Sequence, residues 1–341
     1  MNPTILITGG AGYIGSHTAL YLAQQGYNVL VLDTLKHNQK LPANFVITEK
    51  VVDKDFFKNN PGKIVVIKKD FADQKILDTI FTRFTIEAVL HFAAFIEVGE
   101  SVKHPLKFYK NNVIKTLHLL ESMVNHNVQN FVFSSSCAVY GIPKEVPIPE
   151  DHPKDPISPY GKNKLMVEMA LEDLSQAHDL NFVSLRYFNA AGAMPQYGLG
   201  EQHDPETHLI PLLLQAAHTG KPFYIFGTNH ETQDGTCIRD YLHVWDLADA
   251  HAKAVAYLLD KNKSDYFNLG TGTGYSVHDL IKAVEQVCGK KIKTVETEKR
   301  AGDPPVLIAD ASKAQKVLNW KPQHSDLKHI IATADEFFQR N

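Results

Sequence analysis

The chain has little cysteine. Its three cysteines, Cys137, Cys237 and Cys288, are odd in number among 341 residues, lie far apart and include no Cys-x-x-Cys pair. That excludes a disulfide framework and a thiolate zinc site, and it suits a reducing compartment. No apolar run approaches the ~20 residues of a membrane span, and Met1-Asn2-Pro3 leads into apolar sequence without a basic leader segment. A cytoplasmic protein is the expectation. Neither sign of charge dominates. A formal net charge of −3 and a pI near 6.6 leave no electrostatic footprint for nucleic acid or an anionic membrane surface. Metal-ligand spacing is missing too: the 17 histidines include no His-Glu-x-x-His, so they read as scattered core and surface residues with no metal.

What is present is a core-forming chain, 44% hydrophobic, long enough for one large or two modest domains. Near its start, Thr4-Ile5-Leu6-Ile7-Thr8 reads as a buried parallel strand. The run Gly9-Gly10-Ala11-Gly12-Tyr13-Ile14-Gly15 then leads into an apolar-periodic helix over Ser16–Gln25. A tight turn, close backbone approach to a pyrophosphate and close helix–strand packing each exclude a Cβ, at Gly9, Gly12 and Gly15 respectively, and the helix N-terminus offers N–H groups to phosphates. The next strand, Asn28–Asp33, ends in an acid placed 33 − 15 = 18 residues after the last glycine. An acid there binds an adenosine ribose diol and repels a 2′-phosphate, which favours NAD over NADP.

A second constellation lies mid-chain. The apolar strand Phe131-Val132-Phe133 ends in Ser134-Ser135-Ser136, and Tyr160 follows Ser136 by 160 − 136 = 24 residues, with Lys164 four further on. On a helix, positions i and i+4 share a face one turn apart. An ammonium beside a phenol favours the phenolate, so Lys164 is expected to lower the pKa of Tyr160. With Ser136, the pair forms an acid/base trio for a secondary alcohol. Tyr-x-x-x-Lys alone is common on helices; the dinucleotide motif upstream gives it meaning.

Elsewhere, strands and helices alternate as in a doubly wound parallel sheet. A polar connection is predicted over 36–62, then a strand at Ile64–Ile67, a helix near Gln74–Phe84 and a strand at Ala88–Phe92. Long helices are predicted over Val102–Asn125 and Tyr160–Ala177. Composition changes after Asn189, where a Gly/Gln/His-rich loop precedes a helix at Leu209–Ala217 and a strand at Tyr224–Phe226. The chain is expected to return to the sheet through 241–259 and 266–270. The predicted division is a dinucleotide-binding domain over 1–189, rejoined at about 237–272, and a smaller lobe over 190–341. Short helices and loops are expected from Ser276 onward.

These features resemble the extended short-chain dehydrogenase/reductase family and, within it, the UDP-glucose 4-epimerases. The resemblance rests on Thr8–Thr18, His91-Phe92-Ala93-Ala94, Val98–Ser101, Tyr109–Val113, Phe133–Ser136, Ser158–Lys162, Arg186–Asn189, Asp234–Thr236, Arg239-Asp240-Tyr241 and Ala309–Ala314, so it spans nearly the whole chain. It implies an α/β fold, a Rossmann-like doubly wound parallel sheet with a smaller C-terminal substrate-binding lobe. It also implies bound NAD, with Tyr13, Ile14, Asp70, Phe71, Phe92, Ala93, Ala94, Asn112 and Tyr187 joining Gly9, Gly12, Gly15, Asp33, Tyr160 and Lys164 as cofactor residues. Asn112 would brace the helix of the catalytic lysine. For a UDP-sugar it implies Ser136, Tyr160, Asn189, Leu209 and Phe226, with Arg239 and Arg300 on the pyrophosphate and Asp303 on the uridine ribose. The two long helices would pair with their copies in a homodimer.

The implied reaction oxidises the 4-hydroxyl of a UDP-sugar, rotates the 4-keto sugar and returns hydride, interconverting UDP-galactose and UDP-glucose. Sugar dehydratases of this kind carry an Asp-Glu pair directly after their serine or threonine; here Cys137 and Ala138 stand there. Leu307 occupies a position where some epimerases have a tyrosine that restricts an N-acetyl group, which opens UDP-GlcNAc and UDP-GalNAc as substrates. UDP-pentose or UDP-uronate 4-epimerisation, or UDP-glucuronate decarboxylation, are the alternatives.

Overall fold

The computed structural model describes residues 2–36, 40–299 and 303–340. Its strands are β1 (Thr4–Thr8), β2 (Asn28–Asp33), β3 (Phe45–Thr48), β4 (Ile64–Lys68), β5 (Ile86–His91), β6 (Asn130–Ser134), β7 (Asn181–Tyr187), β8 (Asn189–Ala191), β9 (Phe223–Phe226), β10 (Ile238–His243), β11 (Asp265–Leu269), β12 (Gly274–Ser276), β13 (Thr294–Thr297) and β14 (Val306–Leu307). Eight form the main sheet in the order β11-β7-β6-β5-β1-β2-β4-β3, every neighbouring pair parallel.

Both faces of this sheet are covered, which is why its strands are continuous apolar runs. Ile5, Ile7, Val29, Val31, Ile64 and Val66 face one core, shared with Ala19 and Leu22 of the Tyr13–Gln24 helix and Leu247, Ala254 and Leu258 of the Val244–Lys261 helix. The alternate residues Leu6, Leu30, Leu32, Val65 and Ile67 face a second core with Leu77, Leu119, Leu120, Val167 and Leu171 from the helices Gln74–Arg83, Lys115–Asn125 and Pro159–Ala177. The strand order reverses between β1 and β5, and a crevice at such a switch point takes ligands in doubly wound sheets. A smaller core gathers Ile210, Leu213, Phe223, Ile225, Leu280, Val284, Ile330 and Ile331.

Several expectations are corrected. The connection over 36–62 contains edge strand β3 and a helical turn at Phe56–Asn59. Val102–Asn125 is not one helix: helical turns at Val98–Lys103 and Pro105–Phe108 meet at His104, then a π-helical segment, Tyr109–Ile114, precedes Lys115–Asn125. Pro105 forces the first break, because the residue before a proline is pushed out of the helical region. The chain returns to the main sheet only at β11. β10 instead builds a small sheet with β8, β12 and β14, while β9 pairs with β13. The C-terminal section holds longer helices than expected, Val277–Cys288 and Leu327–Arg340. Among the described residues no helix is long and apolar enough to cross a membrane.

Candidate active site

The site is built at the C-terminal ends of β1, β5 and β6. Gly9, directly after β1, has φ +74°, and a Cβ there would lie 2.6 Å from the backbone nitrogen of Ala93. The β1 loop and the Phe92-Ala93-Ala94 turn therefore touch, secured by the Phe92 and Ala93 N–H groups, which donate to the Thr8 carbonyl at 2.9 and 3.1 Å. A Cβ on Gly15 would sit 2.3 Å from the Gly9 carbonyl oxygen. Gly12 differs: the nearest atom a Cβ would meet is the Gly9 oxygen at 3.4 Å, so internal packing does not demand glycine there. Tyr13–Gln24 begins at this point with no side-chain cap, three residues earlier than the sequence suggests. Asp33, at the end of β2, orients the loop by accepting from the N–H of Ala11 at 3.0 Å and of Leu35 at 2.8 Å.

Across the crevice, Ser158 caps the helix Pro159–Ala177, its Oγ accepting from the Gly161 N–H at 3.1 Å. Gly161 lets the helix close on the Ser136 turn; a Cβ there would lie 2.5 Å from the Ala138 carbonyl. Tyr160, Lys164 and Ser136 are thus brought together as expected. The Ser136 hydroxyl accepts from the Ala138 N–H at 3.2 Å and acts on the Tyr160 phenol, and the Lys164 ammonium stands 5.7 Å from the Tyr160 ring centre and 4.9 Å from that of Phe133. The electrostatics differ from expectation. Burial pushes the Tyr160 phenol well above its ordinary value, Tyr187 adds to that rise and Ser136 opposes it. Lys164 donates to the Ser134 carbonyl at 2.5 Å rather than to the phenol, and burial pulls its pKa down to about 7 against the opposing pull of Glu168. Tyr187 hydrogen-bonds Ser134, and burial raises its phenol to about 12.

Other expected cofactor residues are placed as follows. Tyr13 donates its hydroxyl to the Gly192 carbonyl at 2.6 Å, and Ile14 lies in the same first helical turn. Asp70 pairs with Lys115. Phe71 is buried, edge-on to His91, so its ring serves the core. The Phe92 ring packs on His251. Asn112 sits in the π-helical segment, which packs on the Pro159–Ala177 helix. Its amide, however, ties the Phe95 backbone, accepting from the N–H and donating to the carbonyl at 2.9 Å each; it makes no direct bond to Lys164.

The expected substrate residues lie on the second sheet and its neighbours. Asn189, on β8, donates to the Asp240 carbonyl at 3.0 Å. Arg239, on β10, is paired with Asp303, so these two meet each other instead of standing apart. Leu209 opens the helix Leu209–Thr219. Phe226 ends β9 and is followed by an open cavity of about 660 Å³ lined by Gly227, Thr228, Asn229, Glu296, Thr297, Glu298 and Lys299. Arg300 falls outside the described residues.

A sequence profile of the NAD dependent epimerase/dehydratase family matches residues 5–270. The UDP-glucose 4-epimerase of Rhizobium meliloti is 46% identical over 99% of this chain and 98% of its own length. The chain belongs to the NAD dependent epimerase/dehydratase family. Among solved structures, the UDP-glucose 4-epimerase of Brucella ovis in complex with NAD superposes with a TM-score of 0.88 at 42% identity, covering 98% of both chains. The UDP-Glc/GlcNAc 4-epimerase of Campylobacter jejuni gives 0.80 at 38% identity, covering 100% of both. The dinucleotide named by the family fits the loop: space is kept where a Gly12 Cβ would stand, at an uncapped helix N-terminus, with Asp33 at the neighbouring strand end.

Two groups of residues escaped the sequence reading. Glu168, one turn beyond Lys164, is fully buried and grips Arg186 of β7, while Ser135 and Ser184 donate to it at 2.7 and 2.8 Å. The other is Glu201, His203, Glu206 and His208, whose ligand-type atoms all lie within 4.8 Å of one another. The histidines are therefore not all scattered. The signal was the spacing Glu-x-His-x-x-Glu-x-His, which matches no familiar template.

Proposed function

We propose that the chain is a UDP-glucose 4-epimerase, interconverting UDP-galactose and UDP-glucose with tightly held NAD. The observation that carries this reading is a serine, a phenol and an ammonium brought together beside the end of β6, with no acid in the two positions directly after the serine. Directly after Ser136 stand Cys137, whose thiol burial pushes up to about 12, and Ala138. Neither moves protons at neutral pH, which disfavours dehydration. Relatives 40–46% identical over nearly the full chain carry the same name.

In the mechanism, Gly9, Gly12, Gly15 and Asp33 hold the dinucleotide against the start of the Tyr13–Gln24 helix. When bound, NAD accepts and returns the C4 hydrogen, and its positive charge favours the Tyr160 phenolate. Tyr160 takes the proton of the sugar 4-hydroxyl and gives it back after the sugar has turned over. Ser136 holds the same oxygen, and Lys164 holds the ribose and steadies the phenolate. Arg239 and Arg300 take the pyrophosphate and Asp303 the uridine ribose, which requires the Arg239–Asp303 pair to open or to share its partners. Asn189, Leu209 and Phe226 line the UDP.

Residues 1–189 with 237–272 are read as the NAD-binding part and the rest as the UDP-sugar lobe, in keeping with the separate core around Leu213 and Ile331. Val102, Leu106, Leu117, Met166 and Met169 are exposed apolar residues on the two helical stretches that would form a homodimer. Elution as a monomer at micromolar concentration would remove that part. Three free thiols suit the cytoplasm.

Incubating the purified protein with UDP-galactose and no added NAD, followed by NMR, should yield UDP-glucose. No conversion even with NAD supplied would overturn the substrate and send the assay to UDP-pentoses, UDP-uronates and decarboxylation. Tyr160→Phe should lower turnover by about 10²–10⁴-fold with NAD retained; near-normal turnover would remove Tyr160 as the base.

A further inference from the structure

We propose that Glu201, His203, Glu206 and His208 bind one zinc-class divalent cation, which pins the loop before the Leu209–Thr219 helix. Four ligands at about 2.0–2.1 Å in a tetrahedron stand about 3.3 Å from one another. The contacts in the cluster fall around that figure, with Glu206 facing each histidine through a different oxygen. His208 Nδ1 lies 2.9 Å from Glu201 Oε1 and 3.3 Å from Glu206 Oε1, and His203 Nδ1 lies 3.5 Å from Glu201 Oε1 and 3.7 Å from Glu206 Oε2.

Hydrogen bonding alone does not account for this geometry. A proton shared between His208 and Glu201 suits 2.9 Å. The His203 Nδ1 atom, in contrast, is buried, has no hydrogen-bond partner in the structure and is aimed between two carboxylate groups beyond hydrogen-bond length. Those separations are too long for a bond and right for co-ligands of one ion. The Glu201 side chain is 8% exposed, that of Glu206 18% and that of His203 21%, while His208, at 42%, stands at the rim. Two carboxylates and two neutral imidazoles balance a divalent charge, and nitrogen with oxygen ligands suits zinc. Glu206 is itself oriented, accepting from the N–H of Thr207 at 2.7 Å and of His208 at 2.8 Å.

All four places around the ion would be filled by protein, which marks a structural rather than a catalytic centre. Its position gives it a purpose. Tyr13, in the first turn after the glycine loop, lies within electrostatic reach of Glu201 and Glu206, and Tyr241 of β10 within reach of Glu201. An ion here would clamp residues 201–208, the stretch that leads into Leu209.

The test uses the full chain without a histidine tag. Protein purified without chelator and dialysed should retain about one zinc per chain by elemental analysis. After stripping with dipicolinate, added Co²⁺ should give the intense visible absorption of a tetrahedral centre, saturating at one equivalent. His203→Ala should abolish both signals. Absence of retained metal together with no tetrahedral Co²⁺ band in the stripped wild-type protein overturns the proposal, as does an unchanged band in His203→Ala. Should that variant fail to fold, the wild-type titration decides alone. None of these readouts depends on sugar turnover.

Discussion

Glu168 holds the Arg186 guanidinium with both oxygens inside the protein, at 2.9 Å to Nε and 2.8 Å to Nη2, one helical turn beyond Lys164. Both side chains are almost wholly shielded from water. The pair therefore fixes the Pro159–Ala177 helix to β7, and with it the height of Tyr160 and Lys164 above the sheet. Removing one partner strands the other charge, so Glu168→Ala should cost about 3–5 kcal/mol in urea denaturation. Replacing both, with Arg186→Met added, should recover much of that loss. A single-variant cost below about 1 kcal/mol, the range of an exposed pair, would mean the ion pair does not hold the helix.

Gly9 and Gly12 make opposite predictions from the same motif. Gly9→Ala puts a methyl group 2.6 Å from the Ala93 backbone at φ +74° and should destabilise the fold. Gly12→Ala meets nothing of the protein closer than 3.4 Å. It should leave the unfolding midpoint of the stripped protein nearly unchanged while weakening NAD by about tenfold or more, as expected where the backbone must approach a pyrophosphate. Equal NAD affinity in Gly12→Ala, measured by calorimetry, would place the phosphates elsewhere.

Local signals were legible because they depend on few residues. Gly9 through Gly15 with Asp33, and Tyr160 with Lys164, are each fixed by spacing within one short stretch of strand and helix. The Glu168–Arg186 pair needs β7 laid beside the helix, which no spacing announces. Strand β3 was hidden by its short edge position among polar residues, with Ile47 exposed. Pro105 carries the signal for the break at His104, which the expected helix over Val102–Asn125 ran through, and the π-helical segment after it is accompanied by tertiary bonds such as those from Asn112 to Phe95. The Ser134 carbonyl that holds the Lys164 ammonium is supplied by β6, which the spacing of Tyr160 and Lys164 along their own helix does not reveal.

Buried histidines should make the protein acid-sensitive. Burial pulls His91 down to about 3, and His17 and His251 each to about 4, from the ordinary 6.5. Unfolded, each takes up a proton as pH falls through 6.5; folded, each stays neutral until far lower. The unfolded state binds more protons between about pH 6.5 and 4, so stability is lost as pH falls through that window, by about 1.4 kcal/mol per pH unit for each histidine. Urea midpoints from pH 7 to 5 should decline accordingly, and His251→Gln should reduce the slope by about one proton. An unchanged slope in that variant would show that His251 is already charged in the native protein.

Leu307 bears on how wide the sugar pocket is. It lies on β14, paired with Arg239 of β10, and packs half-buried against the cluster of Cys137, Val139, Tyr140 and Phe188 directly after Ser136. A tyrosine at this place would add an aromatic ring and a hydroxyl beside the reacting end of the sugar. The wild-type protein should therefore turn over UDP-GlcNAc as well as UDP-glucose. Leu307→Tyr should depress kcat/KM for UDP-GlcNAc by about 10–200-fold, the range over which a pocket discriminates by bulk, while changing UDP-glucose by less than about threefold, under 1 kcal/mol. Equal losses on both substrates would mean the tyrosine disturbs the Ser136 turn itself. No wild-type turnover of UDP-GlcNAc would mean that Leu307 does not set the limit.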